Sequence, residues 1–314
     1  MSSRHLHLLG VGSLAIVALA IVLLPSPALA WGPMAHLGFS AQVLGDLDTV
    51  PFATRWLLTD FAKEFLYGSL AADIVVGKNL ARYAHHCHNW RVGFNVQRAA
   101  RPGAERAFAL GFLAHLAADT VAHNYFVPYK IVDSFHRQRS RHAYWELRYD
   151  QRMDRTLSGL ARAVTGRACR RHDELLRRTL GGASVIPFAL SRRLFGSMLV
   201  GAGSRQFQSV SRLALARHRD LVLEDDLVEE TRQLAVDAIL DLLREGERCR
   251  AANADATGAR NIRMANQLRK ALARRHSRLP LSLAHEIAVE ARESFRRGIQ
   301  GKLVLPAPLA RLAA

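Results

Sequence analysis

His115, Asp119 and His123 stand four residues apart in the stretch His115-Leu-Ala-Ala-Asp119-Thr-Val-Ala-His123. On an α-helix this spacing stacks all three side chains on one face, along successive turns. The surrounding stretch, Glu105 to Phe126, is mostly Ala, Leu and Phe and reads as a helix. Two imidazoles and a carboxylate in an apolar setting need partners, because burying them bare is costly. A divalent metal satisfies all three at once, and zinc suits the ligand set. The competing reading is three separately satisfied polar residues on a half-exposed helix.

Further groups carry the same chemistry. His142-Ala-Tyr-Trp-Glu146 is another i, i+4 pair that can chelate an ion from one helix face, although such pairs are common on solvated helices. Asp73 ends the apolar run that begins at Tyr67. His85-His86-Cys87-His88-Asn89 is a histidine cluster. At the N-terminus, Arg4 precedes an apolar core from Leu8 to Leu24, and Ala28 and Ala30 supply an A-x-A cleavage site. The apolar run is short of a full membrane span, which favours a cleaved signal over an anchor. Cleavage would make Trp31 the first residue, with a free α-amino group and its own carbonyl able to chelate a metal and His36 nearby.

In their order along the chain, Trp31, His36, Asp73, a histidine near 86, His115, Asp119, His123, His142 and Glu146 resemble the ligands of the zinc-dependent phospholipase C family. That family shares its all-helical fold and three-zinc site with the single-strand-specific nucleases. The resemblance covers roughly residues 31–150. It implies that Asp73, His86, His115 and Asp119 hold one zinc, and that His123, His142 and Glu146 hold a second. Trp31 through its amino and carbonyl groups, His36 and a bridging Asp119 would hold the third. His86 is preferred over His85 and His88 because His86-Cys-His-Asn89 resembles the family's His-x-x-Asp/Asn pattern. Asp73 would also orient the attacking water or take its proton.

Three departures are informative. Asp119 and His123 are closer together than in the secreted bacterial phospholipases C, a spacing similar to the branch containing glycosylphosphatidylinositol phospholipase D. Trp31-Gly-x-x-x-His36 resembles the start of the nucleases. Ile74 follows Asp73 where a choline-binding enzyme has an aromatic, which argues against a choline cage.

The chain has 314 residues and a formal net charge of +17. Removing residues 1–30 takes away Arg4 alone and leaves 43 basic against 27 acidic residues. This excess, mostly Arg, could steer the protein to anionic membranes or nucleic acid, or simply be a solvated surface. Three cysteines do not make a disulfide framework, although one pair is compatible with export.

Helical periodicity dominates. It predicts helices near 34–46, 51–66, 104–126, 138–163, 171–181, 187–200, 205–217, 225–249, 259–276 and 282–299. The expected architecture is all-α, a multi-helix phospholipase C/nuclease-like bundle with a zinc cluster among its helices. Residues 1–30 are the signal, 31–165 the zinc-dependent core, and 166–314 an Arg-rich portion that completes the bundle or forms a small second domain.

The expected function is an exported, periplasmic or secreted, zinc-dependent phosphodiester hydrolase. It would hold up to three Zn2+ ions, act on a phospholipid or related phosphodiester, and have no inferred protein partner. The alternatives are a single-strand-specific nuclease-like enzyme and a noncatalytic zinc-stabilised protein that binds membranes.

Overall fold

The long apolar helix expected around His115 is the axis of the molecule. A computed structural model describes residues 31–74, 87–136, 142–166, 171–180, 188–202, 221–275, 280–300, 303–307 and 309. In chain order the α-helices are α1 (Pro33–Leu44), α2 (Phe52–Asp60), α3 (Ala62–Ala71), α4 (Trp90–Ala99), α5 (Ala104–Val121), α6 (Val127–Asp133) and α7 (His142–Asp150). They continue as α8 (Leu157–Val164), α9 (Asp173–Leu180), α10 (Phe188–Ala202), α11 (Asp225–Glu245), α12 (Ala259–Arg275) and α13 (Leu281–Arg297). The fold is all-α, with no strand among the described residues. The expected signal and the expected helix at 205–217 lie outside them.

From Ala107 to Val121, every residue of α5 is buried. Helices α1, α3, α4 and α11 surround it, while α12 and α13 pack on α6. The closest of these contacts is between α3 and α5. A Cβ on Gly68 would lie 2.0 Å from the Phe108 carbonyl oxygen, and one on Gly111 would lie 2.0 Å from that of Phe65. Only glycine lets the two backbones touch in this way.

Three expected boundaries are corrected. The 51–66 helix divides at Phe61, whose φ of −121° and ψ of 40° leave the helical region. The 138–163 helix divides after Asp150. There the Asp154 carboxylate accepts bonds from the Thr156 amide at 2.8 Å and its hydroxyl at 2.8 Å, an Asx turn that competes with helix. Helix α4 was not expected; it forms by burying Val92, Phe94 and Val96 behind an Asn89 cap, whose side chain accepts from the Arg91 amide at 2.9 Å.

Candidate metal centre

Helix α5 carries His115 and Asp119 one turn apart, as the sequence implies, and they point into the same buried space. The Asp119 carboxylate is the centre of a cluster drawn from four parts of the chain. His36 comes from the first turn of α1, Asp73 from the 3-10 turn Ala72–Ile74 that ends α3, and His88 from the turn before α4. Asp119 Oδ1 lies 3.1 Å from His36 Nε2, and Oδ2 lies 3.1 Å from His88 Nε2 and 3.3 Å from His115 Nε2. Asp73 Oδ1 is 3.4 Å from His88 Nε2 and 3.9 Å from His115 Nε2. The His36 and His115 rings stack with centroids 3.7 Å apart.

Hydrogen bonds around the cluster fix how the imidazoles face it. His115 Nδ1 lies 2.8 Å from the Ser69 carbonyl oxygen. A carbonyl can only accept, so Nδ1 carries a proton and Nε2 is the ring nitrogen turned toward Asp119. Burial, with His115 adding to it, pushes His36 down to about 4, so its ring is neutral at neutral pH. Burial alone would raise Asp119, but His115 and His36 outweigh it and hold this carboxyl well below the usual range. Neutral imidazole and ionised carboxylate are the states that metal ligation requires.

The donors also fit a metal sterically. Ligands ~2.0–2.1 Å from a tetrahedral zinc are about 3.3–3.4 Å apart, and the contacts above bracket that spacing. Both ring nitrogens of His36 and both Asp119 oxygens are buried and meet the full geometry of a hydrogen bond with no partner among the described residues. Such orphaned groups are rare in a folded interior, and cations beside Asp119 would account for His36 Nε2 and the two carboxylate oxygens. Two overlapping groups, His36–Asp73–His115 and His88–His115–Asp119, bring ligand atoms within 4.8 Å of one another.

Among the histidines weighed in the 85–89 run, the one the structure places here is His88. The preferred His86 lies outside the described residues. Because Asn89 caps α4, the residue before it is held at a fixed helix entrance. His88 is further seated by Cys87, whose Sγ lies 3.2 Å from its Nδ1. Cys87 and Cys249 are both buried free thiols, so neither supplies the disulfide that export would permit.

Beyond Val121 the helix that carries His115 and Asp119 changes form. A π-helical turn, Ala122–Phe126, interrupts the α-helical register. His123, within this turn, sets its Nδ1 2.6 Å from the Ala256 carbonyl oxygen, so Nε2 is the nitrogen that a metal could take. Glu146 is buried on α7. His142 opens that helix, but its side chain lies outside the described residues.

Trp31 is 1% exposed, and its indole Nε1 donates to the carbonyl of Ala118, the residue before Asp119, at 3.1 Å. Its ring stacks on Phe126 at 4.8 Å. Sequence reasoning missed Asp150, whose carboxylate accepts from the amides of Met34 at 3.2 Å and Ala35 at 3.0 Å. It thereby caps the helix that bears His36 and moors it to the helix that bears Glu146. Its i+4 position from Glu146 was the available signal.

Residues 35–179 match the family model described as zinc dependent phospholipase C. The match contains every candidate ligand except Trp31 and leaves residues 180–314 outside it. No curated protein and no solved structure matched the chain.

Proposed function

From the match of residues 35–179 to the zinc-dependent phospholipase C family model, we propose that the protein is an exported phosphodiester hydrolase that cleaves a phospholipid or a related phosphodiester. The observation that carries the proposal is the two-sided Asp119 carboxylate, with one oxygen toward His36 and the other toward His88 and His115. A carboxylate so placed can bridge two ions.

Zinc bound here would supply a water with a pKa near ~7 and would neutralise charge on the phosphoryl oxygens. The chain's own residues then have distinct tasks. His88 and His115 hold one side of Asp119, and His36 holds the other, together with the amino and carbonyl groups of Trp31. His123, His142 and Glu146 form a further site, for up to three ions in all. Asp73 is the most exposed acid of the cluster, with 8% of its side chain accessible against none for Asp119. This accessibility supports the reading of Asp73 as the residue that orients the attacking water and accepts its proton. Export with cleavage between Ala30 and Trp31 supplies the free α-amino group that this ligand set requires.

The test is metal content by elemental mass spectrometry. It compares a chain beginning at Trp31 with one carrying an extra residue before it. About three zincs, falling to about two with the extension, is the expected result; zero or one in both overturns the multi-zinc reading. The nuclease alternative draws on Trp31-Gly-x-x-x-His36 and the basic surface. Release of diacylglycerol from phospholipid vesicles without cleavage of single-stranded DNA is expected, and the reverse pattern would establish the alternative.

A further inference from the structure

Three successive carbonyls in the loop between α11 and α12 face the candidate centre, and each takes a hydrogen bond from a different residue near it. The Ala254 oxygen accepts from Trp90 Nε1 at 3.0 Å. The Asp255 oxygen accepts from Asn124 Nδ2 at 2.8 Å. The Ala256 oxygen lies 2.6 Å from His123 Nδ1. Trp90 is two residues beyond His88, and Asn124 directly follows His123. The loop thus grips two ligand-bearing segments that lie outside regular α-helix: the turn before α4 and the π-turn after α5.

The loop is itself held in shape. The Asp255 carboxylate accepts from the Thr257 amide at 3.0 Å and hydroxyl at 2.8 Å, and from the Ala259 amide at 3.3 Å, where α12 begins. Gly258 adopts a φ of +54°, and a Cβ there would lie 2.2 Å from the His123 carbonyl oxygen. Asn261 returns from α12 to donate to the Asn124 carbonyl at 3.1 Å.

We propose that the 254–258 loop is a positioning element of the metal centre, supplied by the part of the chain that the family match leaves out. The Ala256 carbonyl holds the proton of His123 on Nδ1 and so aims Nε2 for coordination. The Ala254 carbonyl, through Trp90, fixes the entrance to α4 that sets His88. The 180–314 portion is therefore needed for metal binding as well as for covering the core. This inference rests on the assignment of His88 and His123 as zinc ligands.

Two variants of the full mature chain test it. Trp90→Phe removes one donor and keeps the aromatic ring, while Gly258→Ala pushes on the His123 backbone. Zinc retention is measured by chelator competition, and the visible absorption of cobalt-substituted protein reports ligand geometry. Far-UV circular dichroism checks the fold. The expected result is zinc binding weakened by about 10–100-fold, with a shifted cobalt spectrum and unchanged helicity. Zinc retention and cobalt spectra equal to the parent in folded variants would overturn the proposal, whatever happens to the melting temperature. If Gly258→Ala fails to fold, Trp90→Phe decides. A parent chain that retains no zinc overturns the ligand assignment itself, whereas a zinc-bearing parent with unaffected variants removes only the loop's role.

Discussion

Lys130 and Asp119 are both fully buried ionisable groups, and the protein accommodates them in opposite ways. Lys130 Nζ donates to Asp133 at 2.6 Å, to the Val222 carbonyl at 3.1 Å and to Glu224 at 3.1 Å, and it lies 4.5 Å from the centroid of the Trp145 ring. Nearby, Glu230 receives Tyr125 at 2.8 Å and Arg292 at 2.7 Å. On that side, buried charge is neutralised by protein. Around Asp119 the neighbours are imidazoles, one of them held neutral by burial, and among the described residues no Lys or Arg pairs with it. An ionised carboxylate left so would cost several kcal/mol. The difference separates a scaffold that closes its own charge balance from a site that leaves room for a cation.

The sharpest way to break this contrast is Asp119→Asn. Zinc retention and hydrolysis should both fall by more than the about 10–100-fold typical of outer-shell changes, as read by metal content and initial rate. Retention of both would place Asp119 with the ordinary scaffold. Next is Lys130→Met, which leaves Asp133 and Glu224 facing a methyl group. Both carboxylates keep partial solvent contact, so the expected cost is about 2–3 kcal/mol, below the full cost of breaking a wholly buried pair. Denaturant unfolding measures it, and zinc content of the folded protein should not change. A loss of zinc would show that the two regions are not separable.

The smallest effect concerns Glu105, at the start of the same helix that carries Asp119. Its carboxylate bonds to Arg101 Nε at 2.9 Å, to the Arg101 amide at 3.0 Å and to Arg178 at 3.0 Å. The Arg101 side-chain hydrogen bonds are the main cause that holds it down to about 2, from 4.5. A depressed carboxyl stabilises the fold above its unfolded value, and that stability is lost as pH falls from 4.5 toward 2. With Arg101 largely exposed, the pH-linked part should be about 1 kcal/mol. Melting curves of the parent and Glu105→Gln between pH 5 and pH 2 should converge as the pH falls; parallel curves would refute this.

Much of the architecture was legible because periodic apolar residues announce helices regardless of tertiary context. The His115–Asp119 pair was legible for the same reason, since i and i+4 meet on any helix. What escaped depended on local conformations that residue types signal weakly. The place of His88 depends on Asn89 acting as a cap. Helix α4 contains Gly93 and two valines, all modest helix formers, and forms because its apolar face is covered. The break at Phe61 has neither glycine nor proline to mark it. The π-turn that holds His123 follows an unbroken helical pattern. The carbonyls of 254–256 have no residue signature at all, because any amino acid brings one. Asp154-Arg-Thr156, by contrast, was a readable turn inside the expected 138–163 helix.

The main-chain contact between Gly68 and Gly111 bears on how much change the site can absorb. Helices that meet through side chains can slide or separate when a leucine becomes a valine. Here peptide meets peptide, and there is no rotamer to flip and no methyl to trim. The spacing between the strip carrying Asp73 and the one carrying His115 is therefore set by atoms common to every amino acid. Substitutions elsewhere in the core can loosen the molecule while leaving that gauge untouched, and the surest way to reset it is to add a single carbon at position 68 or 111.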